Sequence, residues 1–387
     1  MLRMRAAALL SLALAAATCN AADAPRSGAS ITDFRVEDAV LMKERAALLD
    51  TAEAALAGGD TEAALAGFER AASMLHAPDA EMGLVRSQMQ AGQYRRALAF
   101  AAHTAGAHLE APAASALYAW LLRAGGQDTY ARQVLAAAAQ RSGADEILAA
   151  TQRDFAAATG AASGALLERP HRMAPYSLPF DASTPVASGA GTLASAVLLG
   201  DGRFALAPSA GLTGARRLWV RDGMGRTTAA AIDRTFADFS LVLLVLERPL
   251  PGPVQLAIAL RDPFAGSPGF VVDFAKSPGN APQWPTLHAG FFAGGAGAVR
   301  VLGIATSAGS SGAAVFDVGG RWAGITLPAG AGDSQGARWV PMSQLRGSLG
   351  DLLPTTLASD PLAPARIGAA EAYERSLPIV LQVLVEP

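Results

Sequence analysis

From about Val36 to Gly160 the chain is rich in Ala and Leu, and its apolar residues recur at helical rather than alternating spacing, the pattern of amphipathic helices packed on one another. The pattern itself repeats. Gly58, Gly92 and Gly126 stand 34 residues apart, Ala63, Ala97 and Ala131 keep the same interval, and so do Pro78 and Pro112. Each Gly is expected to close the first helix of a unit where φ is positive. Each Ala is expected where two helices cross closely, and each Pro where a helix can begin but not continue. Leu65 and Phe68 follow on the apolar face of the second helix of the first unit. Between Ala161 and Pro185 the period stops, and Pro170, Pro175, Pro179 and Pro185 follow in quick succession, which predicts a linker or an extended wrap along the next domain. From Val186 short apolar runs alternate with Gly, Pro and Asp turns, as in an all-β sandwich or barrel. Strands are predicted at Leu193–Leu199, Arg217–Arg221, Leu241–Leu246, Gly269–Phe274, Ala313–Phe316 and Trp322–Leu327, with turns at Asp201-Gly202, Asp222-Gly223 and Gly319-Gly320.

The first residues follow another rule. Arg3 and Arg5 precede an apolar run from Ala6 to Ala17, and Cys19-Asn20-Ala21 puts small residues at the positions a signal peptidase reads, so residues 1–21 are expected to be a cleaved secretory signal. The run is too short for the roughly 20 residues of a spanning helix. Cleavage would remove Cys19, the only cysteine, leaving a mature chain that enters an oxidising compartment without a disulfide or a cysteine metal ligand. A periplasmic protein is expected, with a secreted form or a lipid anchor through Cys19 as alternatives. The composition is 51% hydrophobic with 40 Gly and 23 Pro, and 31 basic residues balance 33 acidic ones. Large cores can therefore form, and with no basic block or basic–aromatic stripe a nucleic-acid partner is not expected.

A period of 34 is that of tetratricopeptide repeats, in which each unit is a helix–turn–helix, and the segment from Leu48 to Ile147 resembles that family across three units. The resemblance implies a curved array that binds a peptide or protein. His76, His103 and His108 are scattered over it, and His108 and Glu110 lack a metal-ligand spacing, so these residues are expected at the surface or in packing. No metal or cofactor is expected.

In the strand-rich part three stretches, taken in order, resemble trypsin-like serine proteases of the HtrA type. Gly309-Ser310-Ser311-Gly312-Ala313-Ala314-Val315-Phe316 is similar to the family's segment around the nucleophile, flanked by Gly303-Ile304-Ala305-Thr306 and by Gly336 to Met342. Asp238-Phe239-Ser240-Leu241-Val242-Leu243-Leu244 is similar to the segment that carries the catalytic aspartate. Gly191 to Leu212, including Leu198 to Leu206, is similar to the strand–turn–strand that leads to the catalytic histidine. The resemblance implies a double β-barrel of chymotrypsin-like fold with Ser311 as nucleophile, Asp238 as the acid and the backbone N–H groups of Gly309 and Ser311 as oxyanion hole. The histidine position falls on Ser209, or on Pro208 with a shift of one residue, and no His occurs between His171 and His288. A serine hydroxyl needs a base to take its proton during attack, and the imidazole then protonates the leaving group. Ser209 can do neither. His288 and His171 remain as candidates for a substitute base.

The family's opening strand is missing before Gly189, but its pattern stands at the end of the chain, where Ala370 to Pro378 runs into Ile379–Val385. An uncovered apolar strand invites aggregation, so this one is expected to complete the first barrel, in its own chain or in a neighbour. The chain is thus read as multidomain α and β: signal 1–21, tetratricopeptide-like helical domain 36–160, Pro-rich linker 161–185, trypsin-like double barrel 186–350 and tail 351–387 with a strand at 379–385. The first functional reading is an exported protease homologue, catalytically impaired, that binds peptides or partner proteins. The alternatives are an active serine endopeptidase with an unusual base, and a helical scaffold whose barrel is purely structural.

Overall fold

The computed structural model describes residues 31–169, 171–175, 185–251, 256–295, 297–328, 337–353 and 366–387. The leader with Arg3, Arg5 and Cys19 lies outside the described residues, as do Pro170 and Pro179 of the Pro-rich stretch and Gly336. The chain divides into two compact units, Met1–Lys43 and Glu44–Pro387. In the first, Val40, Leu41 and Met42 are exposed. The second carries everything that follows.

Seven helices are described before the strands: α1 (Ile31–Gly58), α2 (Thr61–Met74), α3 (Pro78–Gln90), α4 (Tyr94–Ala107), α5 (Pro112–Ala124), α6 (Asp128–Ser142) and α7 (Glu146–Ala156). Pro78 and Pro112 open α3 and α5, where a missing N–H costs nothing. Gly92 and Gly126 turn the chain at φ +74° and +83°, and Ala97 and Ala131 are fully buried. The first unit departs from the expected period by one residue. There Gly59, not Gly58, takes the positive φ of +78°, and Ala64 is buried while Ala63 is exposed. The cause is the cap. Asp60 accepts a hydrogen bond from the Ala63 N–H at 3.1 Å, which starts α2 one residue late and turns Ala63 outward.

The strands form two six-stranded antiparallel units. One is a closed barrel in the order β1 (Gly191–Leu199), β12 (Val380–Glu386), β3 (Arg217–Asp222), β4 (Thr227–Phe236), β5 (Leu241–Leu246), β2 (Phe204–Pro208). The other is a sheet in the order β7 (Thr286–Phe291), β6 (Pro268–Asp273), β9 (Ala314–Asp317), β10 (Trp322–Leu327), β11 (Arg338–Pro341), β8 (Arg300–Val301). A helical region followed by two such units is consistent with a chymotrypsin-like double barrel. The last strand of the chain fills the gap between β1 and β3, with Val380 opposite Val197 and Val383 opposite Val220. The barrel interior is built from small and branched residues, among them Ala196, Leu198, Ala205, Leu244, Leu381 and Val383. Helix α8 (Met342–Leu349) packs on β10 and β11, and α9 (Ala369–Ser376) on α4, β6 and β7.

Helices and strands share one core. Val85, Tyr94, Trp120 and Leu121 of the array belong to the same buried cluster as Leu206, Phe270, Leu287, Trp322 and Tyr373. The Tyr94 and Tyr373 rings meet edge to face at 4.4 Å, and each hydroxyl donates to a backbone carbonyl, Leu121 at 3.0 Å and Pro285 at 2.8 Å. Burial pushes both phenols above their usual range.

Candidate functional site

The loop between β8 and β9 holds Ser311. Its main chain is pinned from two sides: the Ser195 N–H of β1 donates to the Ser311 carbonyl at 2.7 Å, and the Gly312 N–H donates to the Thr326 carbonyl of β10 at 2.9 Å. Ala313 and Ala314, both fully buried, follow into β9, and the Ala313 N–H is held by the Thr326 hydroxyl at 2.8 Å. Gly312 is required by space. A Cβ there would stand 2.0 Å from the Ser195 carbonyl oxygen and 2.6 Å from Pro208. Ser195 itself reaches the second sheet, its hydroxyl accepting from the Phe274 N–H at 2.8 Å. The loop that carries Ser311 is thus seated where both β units meet, against the end of β2.

The other candidate positions are neighbours of this seat through the main chain. The Ser209 N–H, just after β2, donates to the Ser240 carbonyl at 2.9 Å. Ser240 closes the turn containing Asp238. The Asp238 side chain is exposed, and among the described residues its carboxylate makes no hydrogen bond or ion pair. Ser311 is buried, and its hydroxyl makes no hydrogen bond among the described residues. The N–H groups of Gly309 and Ser311 are likewise without a hydrogen-bond partner among the described residues.

Among the described residues neither His171 nor His288 makes a hydrogen bond to Ser311. His171 lies beside Arg86 and Asp145 of the array, and burial followed by the Arg86 charge lowers its pKa. His288, on β7, is engaged elsewhere. Its Nε2 is 3.3 Å from Asp273 Oδ1 and 3.2 Å from the Ser307 hydroxyl. Ser307 donates to the fully buried Asp273 with its hydroxyl at 2.6 Å and its N–H at 2.8 Å. In this group the serine proton points at the carboxylate rather than at the imidazole, so the group satisfies a buried charge and ties the loop before Ser311 to β6. It is not arranged to activate a nucleophile.

No family model matches the chain, and no curated protein matches it in sequence. Solved structures do. Part of the chain is similar to the MamO protease domain from Magnetospirillum magneticum in its apo form (16% identity, 43% of this chain and 98% of that one, TM-score 0.32). It is also similar to the Rv3671c protease in its inactive form (14% identity, 42% and 88%, TM-score 0.32). The HtrA-type protease AlgW with a decapeptide is a third (16% identity, 50% and 83%, TM-score 0.34). Likeness at these scores says nothing of activity, which rests on the geometry alone.

Two clefts flank the loop. One, of about 470 Å³, runs along Gly189 and Gly191–Leu193, with Gly211, Lys276, Ser277 and the chain end at Pro387 as its other walls. The Lys276 side chain lies close over Gly309, so this cleft adjoins the seat of Ser311. The other, of about 340 Å³, lies between the array and β7, with Arg123, Asp128, His288 and Ser307 in its lining. Outside the lining of both, His76, His103 and His108 converge on Glu81. Their spacing along the chain does not show this grouping. A signal existed in the period, because His76 and Glu110 stand two residues before Pro78 and Pro112 and are therefore equivalent positions of successive repeats.

Proposed function

We propose that the β half is a serine-protease-like module that has lost its general base and holds extended peptide segments without cutting them, and that the helical part is a tetratricopeptide-type array of an exported protein. The observation that carries this reading is the absence of any imidazole at Ser311. No histidine occurs in the sequence from Arg172 to Leu287; of the two that flank this stretch, His288 is held by Asp273 and Ser307, and among the described residues His171 makes no hydrogen bond to Ser311. Attack by the Ser311 hydroxyl would require its proton to leave with no acceptor in place, and the leaving amine would find no donor.

What remains suits binding. The free N–H groups of Gly309 and Ser311 offer two donors to a carbonyl oxygen, and the adjoining cleft runs along the edge residues Gly191–Leu193 with mostly small side chains in its walls, a shape an extended peptide can follow. Among the described residues no helix is long and apolar enough to cross a membrane, which fits a chain released after export.

The test is labelling of the purified protein with a fluorophosphonate probe beside Ser311→Ala and Ser209→His, with unfolded casein as a second ligand. Casein should be retained by the natural protein and recovered intact, with no labelling. Labelling that vanishes in Ser311→Ala would overturn the reading in favour of an active serine hydrolase, and failure to retain casein would remove the peptide-binding part of it.

A further inference from the structure

Glu81 lies in the first turn of α3 and is 2% exposed. Of the other buried acids, Glu53 pairs with Arg86, Asp222 with Arg226 and Asp317 with Arg321, while Asp273 is held by Ser307 and one imidazole, His288. Among the described residues the ion-pair partners of Glu81 are imidazoles alone. His76 Nε2 is 2.7 Å from Oε1, His103 Nε2 is 4.0 Å from the same oxygen, and His108 Nε2 is 3.4 Å from Oε2. The ligand atoms of His76, Glu81 and His108 all lie within 4.8 Å of one another.

Two atoms of this cluster pose a physical problem. Glu81 Oε2 and His108 Nε2 are buried and face each other, yet neither has a hydrogen-bond partner. On its other side His108 Nδ1 stands 3.5 Å from Glu110 Oε1. A proton on Nδ1, directed at that carboxylate, leaves Nε2 with a bare lone pair aimed at a bare carboxylate oxygen. Two buried acceptors in that position cost free energy unless something positive lies between them. A carboxylate behind the far nitrogen of an imidazole is also the arrangement that fixes a metal-binding tautomer.

We infer that His76, Glu81 and His108 bind one zinc ion, with His103 placed to join or leave the set. Nitrogen and carboxylate ligands lie at about 2.0–2.2 Å from zinc, so two of them in a tetrahedral shell are roughly 3.3 Å apart. The 2.7 and 3.4 Å separations bracket that value. An imidazole-dominated set selects zinc over magnesium or calcium, which take oxygen. The ligands come from the α2–α3 connection, the first turn of α3 and the end of α4, so the ion would fasten successive repeats together at one end of the array. The His76 and His103 side chains are 62% and 54% exposed, which leaves the remaining position open to water or to a group from outside.

The test uses the full chain, stripped with EDTA and titrated with zinc chloride by calorimetry, with thermal unfolding as a second readout. The expected result is one zinc per chain and a rise in Tm on binding, since a ligand held only by the folded state stabilises it. Affinity should fall in Glu110→Gln by about 10–100-fold, the effect of losing an outer partner, and further in His108→Ala. His171→Gln should bind as the natural protein does. Circular dichroism checks that each variant folds. Should His108→Ala fail to fold, the exposed His76→Ala carries the test. The inference is overturned if the natural protein takes up no zinc, or if uptake persists in the folded His76→Ala/His108→Ala double variant, which would mean scattered surface binding.

Discussion

Asp222 and Asp317 fasten equivalent hairpins, β3–β4 in the barrel and β9–β10 in the second sheet. Asp222 accepts from the Met224 and Arg226 N–H groups and pairs with the Arg226 guanidinium at 2.6 Å. Asp317 accepts from the Gly319 and Arg321 N–H groups and pairs with Arg321 at 2.7 Å. Burial raises the Asp222 carboxyl pKa, and the pull of Arg226 does not fully offset it. The turn-forming acceptor therefore matters more than the charge. Asp222→Ala should cost about 3 kcal/mol, because two N–H groups and a guanidinium lose their partner, whereas Asp222→Asn should cost about 1 kcal/mol or less; urea unfolding of both variants checks this. His171 gives a pH dependence. Its pKa is lowered in the fold, so the unfolded chain binds the proton more readily and stability falls as pH drops through and below the ordinary value of about 6.5. In EDTA, His171→Gln should flatten the decline between about pH 6.5 and 5. At this scale the sequence was informative about roles and silent about neighbours. The lack of a histidine in the first barrel can be read directly, whereas the engagement of His288 by Asp273 and Ser307 depends on three segments that only the folded sheet brings together.

At the scale of elements, strand β12 has the largest consequence. Its apolar run from Ile379 to Val385, broken only by Gln382, marks it as a strand in the sequence. The register with β1 and β3 comes only from the closed barrel. Without β12 those two strands would each present a row of unpaired N–H and C=O groups. Ending the chain at Asp351 should give insoluble protein, and the milder Leu381→Ala, which empties a fully buried site, should lower stability by about 2–5 kcal/mol with the fold kept. Solubility on expression and the urea midpoint distinguish these outcomes. The helices show the reverse case. The interval of 34 was plain in Gly92, Gly126, Ala97 and Ala131, but a cap decides where a helix starts, and Asp60 moved the first unit by one residue against the pattern of Gly58 and Ala63.

For the whole molecule, the array is docked and not merely tethered, and three of its glycines lie against the β half. A Cβ on Gly92 would meet Met224 Sδ at 2.6 Å, one on Gly126 the Leu287 carbonyl oxygen at 2.7 Å, and one on Gly160 the Ala275 side chain at 2.9 Å. The periodicity explains Gly92 and Gly126 by their turns alone. Their second role was not legible, because each partner lies more than 100 residues further along the chain. Gly126 and Gly143 separate the two roles. Both have positive φ, +83° and +68°, but Gly143 has nothing within 4 Å of an added Cβ. Gly143→Ala should therefore cost only the backbone strain of its φ +68°, ψ −137° conformation, about 1–3 kcal/mol. Gly126→Ala should add an overpacking term of about 1–3 kcal/mol, since the obstacle is main chain that cannot rotate away. Because Tyr94, Trp120, Leu287 and Tyr373 share one core, the loss should appear as a single shifted transition, with helical circular dichroism and tryptophan fluorescence moving together. Two separate transitions in Gly126→Ala, with the strands unaffected, would show instead that the array and the β units hold their structures independently.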